Sequence, residues 1–262
     1  TLALTEPHAG SDASAIATTA VREGDYYILN GRKAAIDICL SDAVVIWAKT
    51  NPEAGARGIS AFIVSGDTPG LVRTPLRTMG CKGARLGNIE IDNVRVPASN
   101  LLGEENRGFY MVMRAFDYSR ALMGLWCLGA AQAALDDAIF YAKFRTAFGK
   151  PIAKFEGISF PLAEHATLVE AARLLCYKTL WLRDHNLPHT KEAAMCKWWA
   201  PKLAAEVIHH CMLVHGWYGY TDHVPQEQRL RDVIGLETGD GTGEVMKMII
   251  VREMMGREYL PY

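Results

Sequence analysis

The chain has 262 residues, half of them hydrophobic, and a formal net charge of −1. This length is enough to bury one large core or two smaller ones. Lysine and arginine are scattered along the chain, which argues against the clustered basic face of a nucleic-acid-binding protein. No run of about 20 apolar residues is free of charge, so we expect no membrane span.

The first hundred residues have the composition of β-strands. Short segments rich in Val, Ile, Thr and Tyr are separated by Gly, Asp, Asn or Pro. They read "ASAIATTAVREG", "DYYILNGRKAAID", "AVVIWAKT", "GISAFIVSG" and "GNIEIDNVRV". This pattern predicts an antiparallel β-sandwich or barrel over residues 1–103, with a tight hairpin at "REGDYY".

From residue 104 the apolar residues recur with a helical period. Four long segments carry this pattern: residues 108–148, 155–186, 191–219 and 241–256. Long helices with short links predict a C-terminal four-helix bundle over residues 104–262. Strands followed by a run of helices place the chain in the α+β class.

The cysteines and histidines suggest neither a disulfide framework nor a metal site. The six cysteines form no CxxC pair, and several lie in apolar helical segments, so we predict reduced, buried thiols. His209, His210 and His215 are the densest histidine group. Adjacent residues point to different sides of a helix, and no acidic residue lies at ligand spacing, so we expect no metal.

The stretch "LETGDGTGE", residues 236–244, concentrates glycines and carboxylates before the last helix. It lacks the Lys-Ser/Thr pair of a phosphate-binding loop and follows no predicted strand. Two interpretations stay open from the residues alone. Asp240 either caps a helix that starts near Thr242 or belongs to a loop that presents a catalytic base.

Two further polar stretches are candidates for binding. "LTEPHAGSD", starting at Leu4, is a loop whose Thr5, Ser11 and backbone amides can donate hydrogen bonds; the alternative is an ordinary strand connection. "FRTAFGKPI", starting at Phe144, places cations around a Phe-Gly turn. Its alternative is a helix C-cap with Gly149 in the left-handed conformation.

Together with "LNGRKAAI", "AFDYSR", "HGWYGYT", "RLRD" and "IIVRE", these motifs follow the order and spacing of one family. The chain resembles the acyl-CoA dehydrogenases over essentially its whole length. The resemblance implies a middle β domain and the C-terminal helical bundle; the family's N-terminal helical domain is missing from this chain.

The resemblance also implies a reaction. Members hold FAD between the two domains and oxidise an acyl-CoA thioester. A base removes the α-proton while the β-hydrogen leaves as hydride to flavin N5. Hydrogen bonds from the flavin ribityl hydroxyl and from the backbone N–H of the base residue stabilise the charge that develops on the thioester carbonyl.

The resemblance implies site residues for this chain wherever a position matches one of the family's motifs. Asp240 takes the place of the catalytic base, where most members have glutamate; the family's other base position is Ser119, which cannot serve. The implied substrate-binding residues are Ser11, Asp117, Arg120, Gly239 and Gly241. The implied FAD-binding residues are Leu4, Thr5, Gly10, Ser11, Arg145, Phe148, Gly216, Thr242 and Glu244.

The chain also departs from the family pattern. Usual flavin-contacting residues are replaced at Ala35, Asp37, Ala147, Leu213, Trp217 and Glu244. The acidic groups of Asp37 and Glu244 would disfavour a phosphate-bearing cofactor. An aspartate base, "GDGT" and the ending "REYLPY" resemble dehydrogenases of alicyclic acyl-CoAs such as cyclohexane- and cyclohexene-carboxyl-CoA.

The resemblance further implies partners and a location. It implies an electron-transferring flavoprotein as acceptor and a homodimer or homotetramer, in which Arg145 reaches the FAD of a neighbouring subunit. We expect a location in the bacterial cytoplasm, and the mitochondrial matrix is the alternative location. The alternatives are a non-oxidising, lyase-like member, a non-catalytic partner subunit, or an inactive fragment.

Overall fold

The computed structural model describes residues 1–260. The chain divides into two compact units, Thr1–Ala115 and Phe116–Tyr262. Each unit contains its own cluster of buried hydrophobic side chains.

The first unit is built on one seven-stranded sheet. Its strands, numbered along the chain, are β1 (Leu2–Ala3), β2 (Thr19–Glu23), β3 (Tyr26–Ile36), β4 (Ala43–Lys49), β5 (Ile59–Ser65), β6 (Leu71–Pro75) and β7 (Gly87–Pro97). Most pairings are antiparallel, and β4 also pairs in parallel with β1 and β2.

Alternation of side chains explains how this sheet buries a core. In β3 the side chains of Tyr27 and Leu29 are buried, and their neighbours along the strand are more exposed. The predicted hairpin at "REGDYY" is present, with β2 pairing against β3 across a turn that contains Gly24. The short strands β1 and β6 were not predicted, because two to five residues give too little alternation to detect.

The second unit is helical. Its helices are α1 (Gly108–Phe144), which begins in the first unit, α2 (Glu156–Asp184), α3 (Thr190–Val214), α4 (Gln226–Ile234) and α5 (Gly243–Met255). Four of them correspond to the predicted helices, and the short α4 was missed. α3 packs against α2, α4 and α5. The predicted α+β class is confirmed.

The cysteines behave as predicted. All six are free thiols, and five of them are buried.

Within residues 1–260 no group of three or more His, Cys, Asp or Glu side chains is arranged to hold a metal ion. No helix in this part of the chain is long and apolar enough to cross a membrane.

The interpretation of Gly149 as a helix C-cap is wrong. α1 ends at Phe144, and a two-stranded hairpin of β8 (Thr146–Ala147) and β9 (Lys150–Pro151) follows. Phe148 and Gly149 form its turn with φ of 52° and 77°. Two successive positive φ values are the geometry of a type I′ hairpin turn, and glycine supplies the second at little steric cost.

The interpretation of Asp240 as the helix cap is also wrong. The N-cap of α5 is Thr242, whose side-chain oxygen accepts a hydrogen bond from Val245 N. Asp240 precedes the cap with a φ of 54°, in the left-handed region. Its carboxylate is therefore free of the capping role. Gly241 follows with a φ of 110°.

A buried ion pair anchors the beginning of the first unit. Lys33 Nζ donates to Glu6 Oε1 at 2.8 Å, with side-chain exposures of 0% and 2%. Burial alone would raise the pKa of Glu6, but the Lys33 charge and hydrogen bonds from Ala17 and Thr18 outweigh it, and the pKa lies below its usual value. Lys33 also donates to Leu4 O at 3.0 Å, so the pair holds the loop that follows β1.

We predict that Lys33→Met destabilises the protein by about 3–5 kcal/mol, because it leaves the Glu6 carboxylate buried without a cation. The double variant Glu6→Gln/Lys33→Met should recover most of this loss. The matched control is Arg32→Met, since Arg32 pairs with Glu90 on the surface and should cost at most about 1 kcal/mol. Urea unfolding measures all three, and equal losses for Lys33→Met and Arg32→Met would contradict the prediction.

We also predict different outcomes for the two glycines that flank Asp240. A Cβ at Gly241 would lie 2.5 Å from Met246 Cε at a positive φ, whereas a Cβ at Gly239 would make only ordinary contacts. Gly241→Ala should therefore cost about 1–3 kcal/mol of unfolding free energy. Gly239→Ala should be neutral or slightly stabilising. Thermal unfolding of both variants tests this. Unchanged thermal stability in Gly241→Ala would contradict the inference that the backbone at residue 241 cannot accommodate a side chain.

Candidate functional site

Asp240 lies in the loop before α5, residues 237–242, which we call the α5 loop. Ser119, on α1, donates its hydroxyl hydrogen bond to Asp240 Oδ2 at 2.8 Å. The two positions that the sequence resemblance implied for a base thus meet in space, 121 residues apart in the chain. Ser119 cannot act as a base, but it orients the carboxylate that can.

Arg120 connects α1 to the α5 loop. Its Nε donates to Asp240 O at 3.2 Å, and its Nη1 donates to Asp117 Oδ1 at 3.1 Å. Burial lowers the pKa of Arg120 from its usual value, while the charges of Asp117 and Asp240 oppose that shift. Thr190 donates to the second oxygen of Asp117 at 2.7 Å. Asp117 is therefore held by protein donors on both oxygens, which fixes the guanidinium of Arg120.

Lys197 also contacts the α5 loop, and sequence analysis missed it. Its side chain is fully buried on α3, and Nζ donates to Glu237 O at 3.3 Å and Gly241 O at 3.0 Å. Lys197 shares the buried face of α3 with Ala193, Ala200 and Ala204. A lone lysine at helical spacing among buried alanines is a signal that a helical-wheel reading of the sequence could have found.

The backbone amides of the α5 loop are available to a ligand. Among residues 1–260, the N–H groups of Asp240 and Thr242 find no hydrogen-bond acceptor. They lie just before the N-terminus of α5, where the helix dipole favours negative charge. Glu244 is exposed in the first turn of α5. A carboxylate beside free amide donors can remove a proton and stabilise a developing oxyanion.

A second group of predicted residues lies on the first unit, in the loop after β1. Leu4 is buried, and its carbonyl accepts from Lys33. The backbone of Thr5 is fixed by Ala34 N, which donates to Thr5 O at 3.0 Å. Gly10 and Ser11 are exposed. The anchored start of this loop and its exposed end make a rigid, accessible surface with hydroxyl donors.

A third group surrounds the end of α1. Arg145 and Gly216 line one cavity of about 320 Å³, together with Tyr141, His215 and Trp217. The rings of Tyr141 and His215 stack with centroids 4.6 Å apart. Among the described residues the Arg145 guanidinium makes no ion pair.

Phe148 does not line this cavity. Its side chain is 94% exposed at the tip of the β8–β9 hairpin. Of the predicted residues in this region, the structure therefore brings Arg145 and Gly216 together and leaves Phe148 outward.

Comparison with known proteins agrees with the fold and the motifs. The family model described as "Acyl-CoA dehydrogenase, middle domain" matches residues 1–94, and "Acyl-CoA dehydrogenase, C-terminal domain" matches residues 106–255. The matched regions correspond to the sheet of the first unit and the helices of the second.

Individual relatives match most of the chain. It is 42% identical over 255 residues to a 3-(aryl)acrylate reductase of Clostridium sporogenes, covering 97% of this chain and 68% of that protein. It is 44% identical over 250 residues to subunit CarC of the caffeyl-CoA reductase-Etf complex of Acetobacterium woodii, covering 95% and 66%.

A solved structure shows the same fold. The chain superposes on butyryl-CoA dehydrogenase of Megasphaera elsdenii with a TM-score of 0.92 at 38% identity, covering 95% of this chain and 66% of that one. The chain thus spans about two thirds of the length of the relatives it matches. These matches show that the chain belongs to the acyl-CoA dehydrogenase family of FAD-dependent oxidoreductases.

Proposed function

We propose that this chain carries the α-proton-removing site of an FAD-dependent acyl-CoA dehydrogenase, with Asp240 as the base. The observation that supports it most is the Asp240 carboxylate, held by Ser119 beside free amide donors. Ser119 occupies Oδ2, so Oδ1 is the oxygen left to accept a proton. A base must lie within hydrogen-bond reach of the proton it removes, and an oriented carboxylate with one free oxygen meets that need.

The remaining residues of the site have supporting roles in this proposal. The amide of Asp240 donates to the thioester carbonyl, on which negative charge develops as the α-proton leaves. Arg120 fixes the loop through Asp240 O. Asp117 and Ser11 lie along the CoA arm. Gly239 leaves room beside the base, since little surrounds its missing Cβ.

The chain's donors fit the cofactor that the family uses. The side-chain hydroxyls of Thr5 and Ser11 and the amide of Thr242 have no internal hydrogen-bond partner among residues 1–260, and Arg145 makes no ion pair there. These groups suit the polar edge and phosphates of a dinucleotide. We propose that FAD is held by Leu4, Thr5, Gly10, Ser11, Arg145, Phe148, Gly216, Thr242 and Glu244. When bound, FAD supplies the hydride acceptor.

The two acidic departures from the family pattern have local explanations. Asp37 Oδ1 accepts from Ile38 N at 3.1 Å on an exposed turn. Glu244 lies in the first turn of α5, where a carboxylate stabilises the helix dipole. Each has a structural reason to be acidic that is independent of the cofactor, so neither one argues strongly against FAD.

The spacing along α1 supports an oligomer. Arg120 and Arg145 are separated by about 25 residues, which corresponds to roughly 37 Å of helix at about 1.5 Å per residue. Residues so far apart along the chain of one helix are poorly placed to hold one reacting group together. We therefore propose a homodimer or homotetramer in which Arg145 contacts the FAD of a neighbouring copy.

The names of two relatives favour a second direction for the same chemistry. One is a 3-(aryl)acrylate reductase and the other a subunit of a caffeyl-CoA reductase-Etf complex. In reduction, protonated Asp240 would return the proton to the α-carbon.

An electron-transferring flavoprotein is the proposed electron partner, and the bacterial cytoplasm is the proposed location. An alicyclic acyl-CoA is the proposed substrate, because aspartate is one methylene shorter than the usual base.

We predict that FAD-loaded protein loses its flavin absorbance anaerobically when an acyl-CoA is added. Cyclohexane-carboxyl-CoA should bleach it faster than butyryl-CoA. Asp240→Asn should slow bleaching by about 100- to 10,000-fold and leave the flavin bound, because general-base catalysis contributes that much. The control is Asp184→Asn, a carboxylate paired with Arg183 at the surface.

Three outcomes would count against this proposal. If the flavin of Asp240→Asn bleached at the wild-type rate, Asp240 would not be the base. Flavin retained without bleaching by any acyl-CoA, and without oxidation of the reduced flavin by enoyl-CoAs, would support a non-oxidising member. A preparation that takes up no FAD would support a non-catalytic chain.

We further predict that the base can be moved to α1. Asp240→Gly should be nearly inactive, and adding Ser119→Glu should restore activity at least about 10-fold, because Ser119 Oγ lies 2.8 Å from the carboxylate it would replace. Glycine tolerates the positive φ at residue 240. Ser119→Gln in the same background is the matched control. Equal activity of the Glu and Gln double variants would show that position 119 does not face the substrate.

A further inference from the structure

Lys197 makes an unusual contact for a lysine in a helical core. Its side chain is 0% exposed, and its recorded hydrogen bonds go to backbone carbonyls of the α5 loop. These carbonyls belong to Glu237 and Gly241, three residues before and one residue after Asp240. The ammonium therefore spans the segment that carries the carboxylate.

A charged amine is costly at this place. Within the described residues Lys197 makes no ion pair, and burial lowers its pKa to about 8, against the opposing charges of Asp240 and Glu237. Arg120 adds to the lowering. An apolar residue of the same length would avoid this desolvation cost. A buried charge that lowers stability and lies at a candidate active site suggests a role in function.

We propose that Lys197 is a positioning residue for the base, holding the α5 loop through the carbonyls of Glu237 and Gly241. This inference rests on the proposed function of Asp240. Lys197 itself touches neither substrate nor cofactor in this account.

The loop has few other restraints. Thr238 N and Gly239 N share one acceptor, Gly235 O, at 3.4 and 3.3 Å, and Thr242 O accepts from Met246 N at 3.0 Å. Arg120 and Ser119 supply contacts from the side of α1. Without Lys197 the segment on either side of Asp240 would be fixed from one helix only.

The positive charge has a second consequence. The ammonium attracts the negative charge of the Asp240 carboxylate, which adds to the restraint on the α5 loop. The charges that act on Lys197 are those of Asp240, Arg120 and Glu237, and Asp240 itself is bonded by Ser119 and Arg120. Removing the amine takes away both the hydrogen bonds and this charge, whereas a neutral amide removes only the charge.

The test compares Lys197→Met and Lys197→Gln in the FAD-loaded protein. The control is Lys202→Met, since Lys202 is an exposed residue of the same helix that pairs with Glu206. Stopped-flow bleaching by an acyl-CoA gives the reduction rate and the substrate affinity separately.

We expect Lys197→Met to lower the reduction rate by about 10- to 100-fold with unchanged substrate affinity. Lys197→Gln should lose less, because its amide can still donate. Lys202→Met should match the wild type in both the reduction rate and the substrate affinity. Thermal stability should not fall in Lys197→Met, since a desolvated charge is removed. If Lys197 had a merely structural role, Lys197→Met would be less stable than the wild type and its reduction rate would be unchanged.

A second readout does not depend on turnover. Hydrogen exchange of the Thr238, Gly239, Val245 and Met246 amides should be at least about 10-fold faster in Lys197→Met, and unchanged in Lys202→Met. Wild-type rates and exchange in both Lys197 variants would overturn this inference. A wild-type protein that never bleaches would instead overturn the proposed function, and the exchange measurement would still decide whether Lys197 holds the loop.

Discussion

The placement of Asp240 depends on cationic side chains that bind backbone carbonyls. Arg120 from α1 and Lys197 from α3 donate to the carbonyls of Glu237, Asp240 and Gly241. These bonds turn the carbonyls of the α5 loop toward the interior of the helical unit. They explain how a loop with glycines at two positions and a residue in the left-handed conformation keeps one geometry. The amides before α5 are left without internal acceptors, which makes them available to a ligand.

The first unit uses a related arrangement. Lys33 is buried with Glu6 and donates to Leu4 O. In both units, therefore, a buried lysine fixes the backbone of a polar loop that the family resemblance connects with binding. In the first unit a carboxylate neutralises the lysine, whereas Lys197 makes no ion pair among the described residues. This difference is consistent with a charge that acts on Asp240 in the second unit and with a purely anchoring charge in the first.

Much of the fold could be predicted from the sequence, because long elements carry long patterns. The helices α1, α2 and α3 each contain many turns of apolar periodicity, and β3 and β7 alternate over 11 residues. Short elements such as β6 and α4 contain too few residues for a period to be detected. The ends of the helices were harder to predict. Gly149 and Asp240 both have the residue type expected of a helix cap, but neither one caps a helix in the structure.

The candidate site was only partly predictable for a different reason. The motif order located Asp240, Asp117 and Arg120, and the structure brings them together. The hydrogen bond from Ser119 and the contact of Lys197 join residues far apart in the chain, and no local pattern encodes such pairs. In the sequence Ser119 stands out only as a residue that cannot be a base; its role as a hydrogen-bond donor depends on a distance that the fold sets. Lys197 was detectable as a misplaced charge, but its partners were not.

The most direct test of this account isolates proton removal from oxidation. An acyl-CoA with sulfur at the β-position has no β-hydrogen to transfer, so incubation with the FAD-loaded protein in heavy water reports only on removal of the α-proton. Mass spectrometry of the recovered thioester should show deuterium at the α-carbon with the wild type and none above background with Asp240→Asn. Equal incorporation by both proteins would contradict the assignment of Asp240 as the base.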